Sequence, residues 1–111
     1  MQVLNMKSGI GGLQDVVYIG RAMKGRAGSP LGNPFMIGRD GSRDEVVELY
    51  RKWLHARIRA NDIEVCAELK RIQQMDRTTL KLVCWCAPLA CHGDVLLRCL
   101  SWMDTQTQFV F

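Results

Sequence analysis

Leu80-Lys81-Leu82-Val83-Cys84-Trp85 runs directly into Cys86-Ala87-Pro88-Leu89-Ala90-Cys91-His92-Gly93-Asp94, and then into Val95-Leu96-Leu97-Arg98-Cys99-Leu100. The first six residues are almost all apolar and contain no glycine or proline, the pattern of a central strand buried on both faces. The last six repeat apolar side chains at helical spacing, and Asp94 is the expected N-cap of that helix. A tight loop over residues 86–93 joins the two. A strand feeding a helix in this way is the building unit of an α/β fold.

The rest of the chain fits that unit. Upstream, Asn61 or Asp62 can cap a helix with Ile63, Cys66, Leu69, Ile72 and Met75 inward. Before it, Ser42 and Glu45 have the spacing of a capping box. Val46, Val47, Leu49, Tyr50, Trp53, Leu54 and Ile58 follow at helical period. Asp15-Val16-Val17-Tyr18-Ile19-Gly20 reads as a strand closed by glycine, and residues 1–6 read as a first, short strand. Gln108-Phe109-Val110-Phe111 is a candidate edge strand. Tyr50, Trp53 and Trp102 are expected in the core. The predicted architecture is a single α/β domain over residues 1–111, with a central mixed or mainly parallel sheet and flanking helices.

Residues 21–39 hold two of the three prolines and are rich in glycine, so they are expected to form a long, ordered loop. Leu31, Pro34, Phe35, Met36 and Ile37 are its candidate anchors to the core.

Composition narrows the function classes. No apolar run approaches the roughly 20 residues needed to span a bilayer, and residues 1–7 lack the pattern of a secretion signal. A cytoplasmic protein without membrane contact is expected. The five cysteines are odd in number, and Cys84 and Cys86 are too close to suggest a disulfide framework. Reduced thiols, metal ligands or a reactive thiol are the alternatives. The net charge is +4 over 111 residues, and residues 1–39 alone carry Lys7, Arg21, Lys24, Arg26 and Arg39 against Asp15. That local excess suits a phosphate-bearing partner, either a nucleotide or nucleic acid; a basic surface that aids solubility is the plainer reading.

Two segments can carry chemistry. In the first, three thiols, an imidazole and a carboxylate fall between Cys84 and Asp94. Ligands of open α/β sheets bind beyond the carboxyl ends of strands, and a helix N-terminus there favours anions and thiolates. Cys86, Cys91, His92 and Asp94 are the candidate catalytic residues. Cys84, Cys86, Cys91 and His92 are the candidate zinc ligands, although Cys-x-Cys followed by adjacent Cys-His is not the usual paired-doublet spacing. Ordinary packing of buried thiols is the competing reading. The second segment is Tyr18-Ile19-Gly20-Arg21 with Ser29-Pro30-Leu31-Gly32-Asn33-Pro34-Phe35. Tyr18, Arg21, Lys24, Arg26 and Asn33 are its candidate ligand-binding residues. Arg21 has the fork for a phosphate, and Asn33 can read an amide or base edge or simply tie the loop to itself.

These same segments, Tyr18 to Arg21, Ser29 to Phe35, Cys84 to Pro88 and Cys91 to Leu96, resemble a family known only as a domain of unknown function, common in bacteriophage and bacterial mobile elements. The resemblance covers about residues 15–100. It implies a compact phage-type domain, at work in the host cytoplasm, and points toward nucleotide metabolism, DNA modification or interference with host defence. Three functions follow as expectations. The first is binding or processing of a nucleotide-like or nucleic-acid ligand where the two loops meet. The second is non-catalytic inhibition of a host protein. The third is a zinc-stabilised nucleic-acid-binding module.

Overall fold

Leu82, Val83 and Cys84 are buried, and the strand that holds them lies at the centre of the sheet. In the computed structural model, β1 (Gln2–Asn5), β2 (Val16–Tyr18) and β3 (Lys81–Cys84) form a three-stranded sheet in the order β1-β3-β2. Both pairings are parallel, so the mainly parallel alternative holds. The structure describes residues 1–106 except 10, 24, 86–88 and 90. The expected edge strand at residues 108–111, and the candidate site residues Lys24 and Cys86, lie outside the described residues.

The register explains the layers. Val3 and Val17 both oppose Leu82, and Leu4 and Tyr18 both oppose Val83. Side chains alternate across a strand, so Val3, Leu82 and Val17 share one face. That face receives α3 (His92–Asp104), whose Gly93 lies so close that an added Cβ would sit 2.9 Å from Val3. On the other face Val83 is fully buried between Leu4 and Tyr18.

The helices are cut by local chemistry. The Ser42 side chain and Glu45 form the predicted capping box at the start of α1 (Arg43–Arg59). Asn61, at φ 55°, turns the chain, and the Asp62 side chain caps α2 (Ile63–Gln73) by accepting from Val65 N at 3.0 Å. Helix α1 packs on α3, and α2 packs against both. Tyr50, Leu54, Leu69, Ile72, Leu96, Leu100 and Met103 meet the sheet residue Leu82 in one continuous core.

Several expectations need correction. Helix α3 begins three residues earlier than predicted, with Cys91 as N-cap and Asp94 completing the capping box from the third helical position. A cysteine thiol stands where serine or threonine is usual, so the cap was hidden from a reading by residue type. Cys91 is not a solvated loop residue; it is buried. Ile63 is 85% exposed rather than inward, because it lies two residues, about 200° of helix, from Val65, which takes the core position. Trp102 is 51% exposed because it continues the Val95–Cys99 edge of α3 rather than the Leu96–Leu100–Met103 face that packs inward. In the long loop Leu31 is the fully buried anchor, while Met36 and Ile37 are exposed. No helix among the described residues is long and apolar enough to cross a membrane.

Candidate functional site

All three strands end at the same edge of the sheet, at Asn5, Tyr18 and Cys84. The chain continues straight past β2 for one more residue, since Ile19 N donates to Val83 O at 3.0 Å. The carbonyl of Ile19 then faces the start of α3 and lies 2.6 Å from His92 Nε2. The two motif segments are therefore joined directly across 73 residues of sequence.

A carbonyl oxygen only accepts, so Nε2 carries the proton of this bond. Burial holds the imidazole below its ordinary pKa and prevails over the opposing influence of the Ile19 hydrogen bond. The Arg21 charge pushes in the same direction as burial, and Asp94 opposes it. His92 is therefore neutral at neutral pH. Its Nδ1 makes no hydrogen bond among the described residues. Tyr50 fixes the ring further, edge-on at 5.0 Å between centroids, and is itself anchored by donating its hydroxyl proton to Leu31 O at 2.6 Å.

The second segment is organised by Arg21 and Asn33. Arg21 Nε donates to Asn33 O at 2.8 Å and its Nη2 donates to Phe35 O at 2.5 Å. The buried Asn33 amide accepts from Phe35 N at 2.9 Å and donates to Val46 O at 3.4 Å. Both side chains thus hold the loop, and Asn33 fastens it to α1. Tyr18 OH donates to Arg21 O at 2.8 Å and accepts from Trp85 Nε1 at 3.1 Å. Arg26 stacks over the Tyr18 ring at 5.0 Å.

Between these parts lies a cavity of about 340 Å³. Tyr18, Arg21, Asn33, Cys84, Cys91 and His92 all line it, so six of the residues singled out from the sequence are brought together. Arg26 and Asp94 do not line it; the Asp94 carboxylate accepts from Cys91 N at 3.0 Å as a cap. Residue-type reasoning passed over Phe35, Arg43 and Trp85, which also form the walls. Arg43 is the first residue of α1, directly after the Ser42 cap, and that position beside the loop was the available signal. The lining holds two arginines and no carboxylate among the described residues.

The thiols are packed rather than displayed. Cys84 Sγ and Cys91 Sγ are 3.4 Å apart, a thiol–thiol hydrogen bond rather than a disulfide, and Cys91 Sγ also accepts from Gly93 N at 3.3 Å. Away from the cavity, burial pushes the Cys99 thiol up to about 11. Among the described residues no group of three or more His, Cys, Asp or Glu side chains is placed to hold a metal ion. Within the expected zinc set, Cys84, Cys91 and His92 have the contacts given above, and Cys86 lies outside the described residues.

The family described as a domain of unknown function, DUF4326, matches residues 4–102. The chain belongs to the DUF4326 family. The match takes in the end of β1, the loop, the cavity and nearly all of α3. This DUF4326 chain is 36% identical over 66 residues to an uncharacterised 12.4 kDa protein in the nrdA-td intergenic region of Enterobacteria phage T4. That match spans 59% of the chain and 56% of the phage protein. No solved structure matches the chain.

Proposed function

We propose that this protein binds a small, phosphate-bearing, nucleotide-like ligand in the cavity at the carboxyl edge of its sheet. One observation carries the reading: a cavity of ligand size joins three aromatic walls, Tyr18, Phe35 and Trp85, to two arginines and the N-terminus of α3, with no carboxylate among the described lining residues. Aromatic walls suit a base, while arginines suit a phosphate. About 340 Å³ is at the lower end of small-molecule sites, enough for a mononucleotide rather than an oligonucleotide.

Within this reading Arg21 acts mainly by shaping the wall, because two of its nitrogens are committed to Asn33 O and Phe35 O. Arg43 contributes charge to the cavity from the start of α1. His92 supplies the group that can take a proton near neutrality, through Nδ1. Hydrolysis or group transfer at the bound nucleotide is the chemistry such a residue would serve.

Isothermal titration with nucleoside monophosphates and the matching nucleosides tests this. Binding is expected for the phosphorylated members, weaker in high salt and weaker again in Arg43→Ala. Equal affinity for nucleoside and nucleotide, or no saturation at millimolar ligand, would remove the reading.

A further inference from the structure

A second depression lies between α1 and α3, away from the sheet edge, with a volume of about 510 Å³. Leu54, Ile58, Val95 and Cys99 form its floor. On each helix the two lie four residues apart, so the apolar strip follows the helix axes. Arg51, His55 and Arg59 stand along the α1 rim, and Arg98 and Trp102 along the α3 rim. No carboxylate lines it among the described residues, although Glu48 pairs with Arg51 from the outside. The Trp102 indole is half exposed at one end.

We infer that this groove is a docking site for an acidic, amphipathic helical segment of a partner protein. The floor decides the partner's apolar side and the rim decides its charge. An aliphatic strip between two helices gains free energy only by covering apolar side chains, which a helix presents at three- and four-residue spacing. Three arginines without a lining carboxylate select glutamate- or aspartate-rich flanks. A nucleic-acid strand fits less well. It needs successive stacking platforms, and among the described residues Trp102 is the single tryptophan, tyrosine or phenylalanine in the lining. The α1 stretch from Arg51 to Arg59 rises about 12 Å, so two to three turns of a bound helix would fill it. This inference is independent of the nucleotide reading, because the two cavities share no lining residue.

The test is selection of a random dodecapeptide library on the full-length protein, with the double variant Arg59→Glu/Arg98→Glu as counter-selection. Enriched peptides are then titrated while backbone and indole NMR signals are followed. Enriched sequences are expected to be acidic, with aliphatic residues at three- and four-residue spacing. They should shift Arg98 and Trp102 signals, bind the double variant at least about tenfold more weakly, and bind it again when their acids are changed to lysine. Trp102→Ala should weaken them without altering the cavity at the sheet edge. Peptides without acidic bias, or shifts elsewhere on the surface, would overturn the inference. So would tighter binding of oligothymidylate in the groove, or a sedimenting dimer abolished by the double variant, which would give the groove to nucleic acid or to a second copy.

Discussion

His92 Nε2 lies 2.6 Å from the carbonyl oxygen of Ile19, so the residue that opens α3 is tied to the residue directly after β2. The bond links the two walls of the cavity and fixes which nitrogen of the ring faces it. It also makes the site sensitive to acid. The His92 pKa is lowered in the folded state, chiefly by burial. A lowered histidine contributes stability that is fully present above its unfolded value, near 6.5, and is lost as pH falls toward the folded value.

Stability should therefore be flat above about pH 7 and decline as pH falls below about 6.5. The carboxylates held low by hydrogen bonds, such as Asp40 and Asp104, add their own losses only as pH falls below the ordinary carboxylate range. In His92→Gln the decline near pH 6 should disappear, because glutamine can donate to Ile19 O but cannot titrate. Urea melts across pH 5–8 check this. An unchanged pH profile in the variant would contradict the assignment.

Gly93→Ala sets two effects against each other. Alanine in a helix is favoured over glycine by about 1 kcal/mol. Here the new Cβ would meet Val3 at 2.9 Å, closer than packed carbons allow, and Ile19 at 3.2 Å, close enough that the neighbour must shift. Overpacking costs about 1–3 kcal/mol, so the variant should be net destabilised by about 1 kcal/mol. A thermal melt with a raised midpoint would show that α3 sits farther from the sheet than described.

Cys84→Ser and Cys91→Ser should differ. Cys84 is buried in the central strand, where a hydroxyl without a good partner costs about 1–3 kcal/mol. Cys91 is equally buried, but its side chain caps α3, a position serine favours. Its loss should stay within about 1 kcal/mol, since the better cap offsets the cost of burial. Denaturant melts giving the reverse order would contradict the capping role.

Arg21→Lys should loosen the loop even though charge is kept. Lysine has no fork to reach both Asn33 O and Phe35 O. A cost of about 1–2 kcal/mol is expected, given two partly solvated bonds to a charged donor. Amide exchange should quicken at Leu31 and Phe35 while α2 is unaffected. Unchanged exchange at both residues would mean that the clamp does not hold the loop.

Much of the fold was legible because it rests on contiguous patterns. The apolar run Leu80 to Cys84 announced the central strand, and Ser42 with Glu45 announced α1. What failed was phase and substitution by unusual chemistry. Ile63 is apolar but lies about 200° of helix from the buried Val65, and Trp102 lies on the Val95–Cys99 edge of α3 rather than on its inward Leu96–Leu100–Met103 face. Cys91 caps a helix although the rules of capping name other residues. The meeting of the two motif segments was expected from the carboxyl-edge rule alone. The bond that joins them uses a main-chain carbonyl, which no side-chain pattern can reveal. Arg21 and Asn33 were read as ligand contacts because their types suit phosphate and base; in the fold their polar groups bind the loop's own backbone first.

The central claim is that a nucleotide-like ligand enters the cavity between Trp85 and α3. Titrating the isotope-labelled protein with a nucleoside monophosphate, and following the Trp85 indole and the Gly93 and Asp94 amides by NMR, tests it most directly. The account predicts saturable shifts at all three that are lost with the matching nucleoside and reduced in Arg43→Ala. Shifts confined to the α1–α3 groove, or no saturable change at the sheet edge, would contradict it.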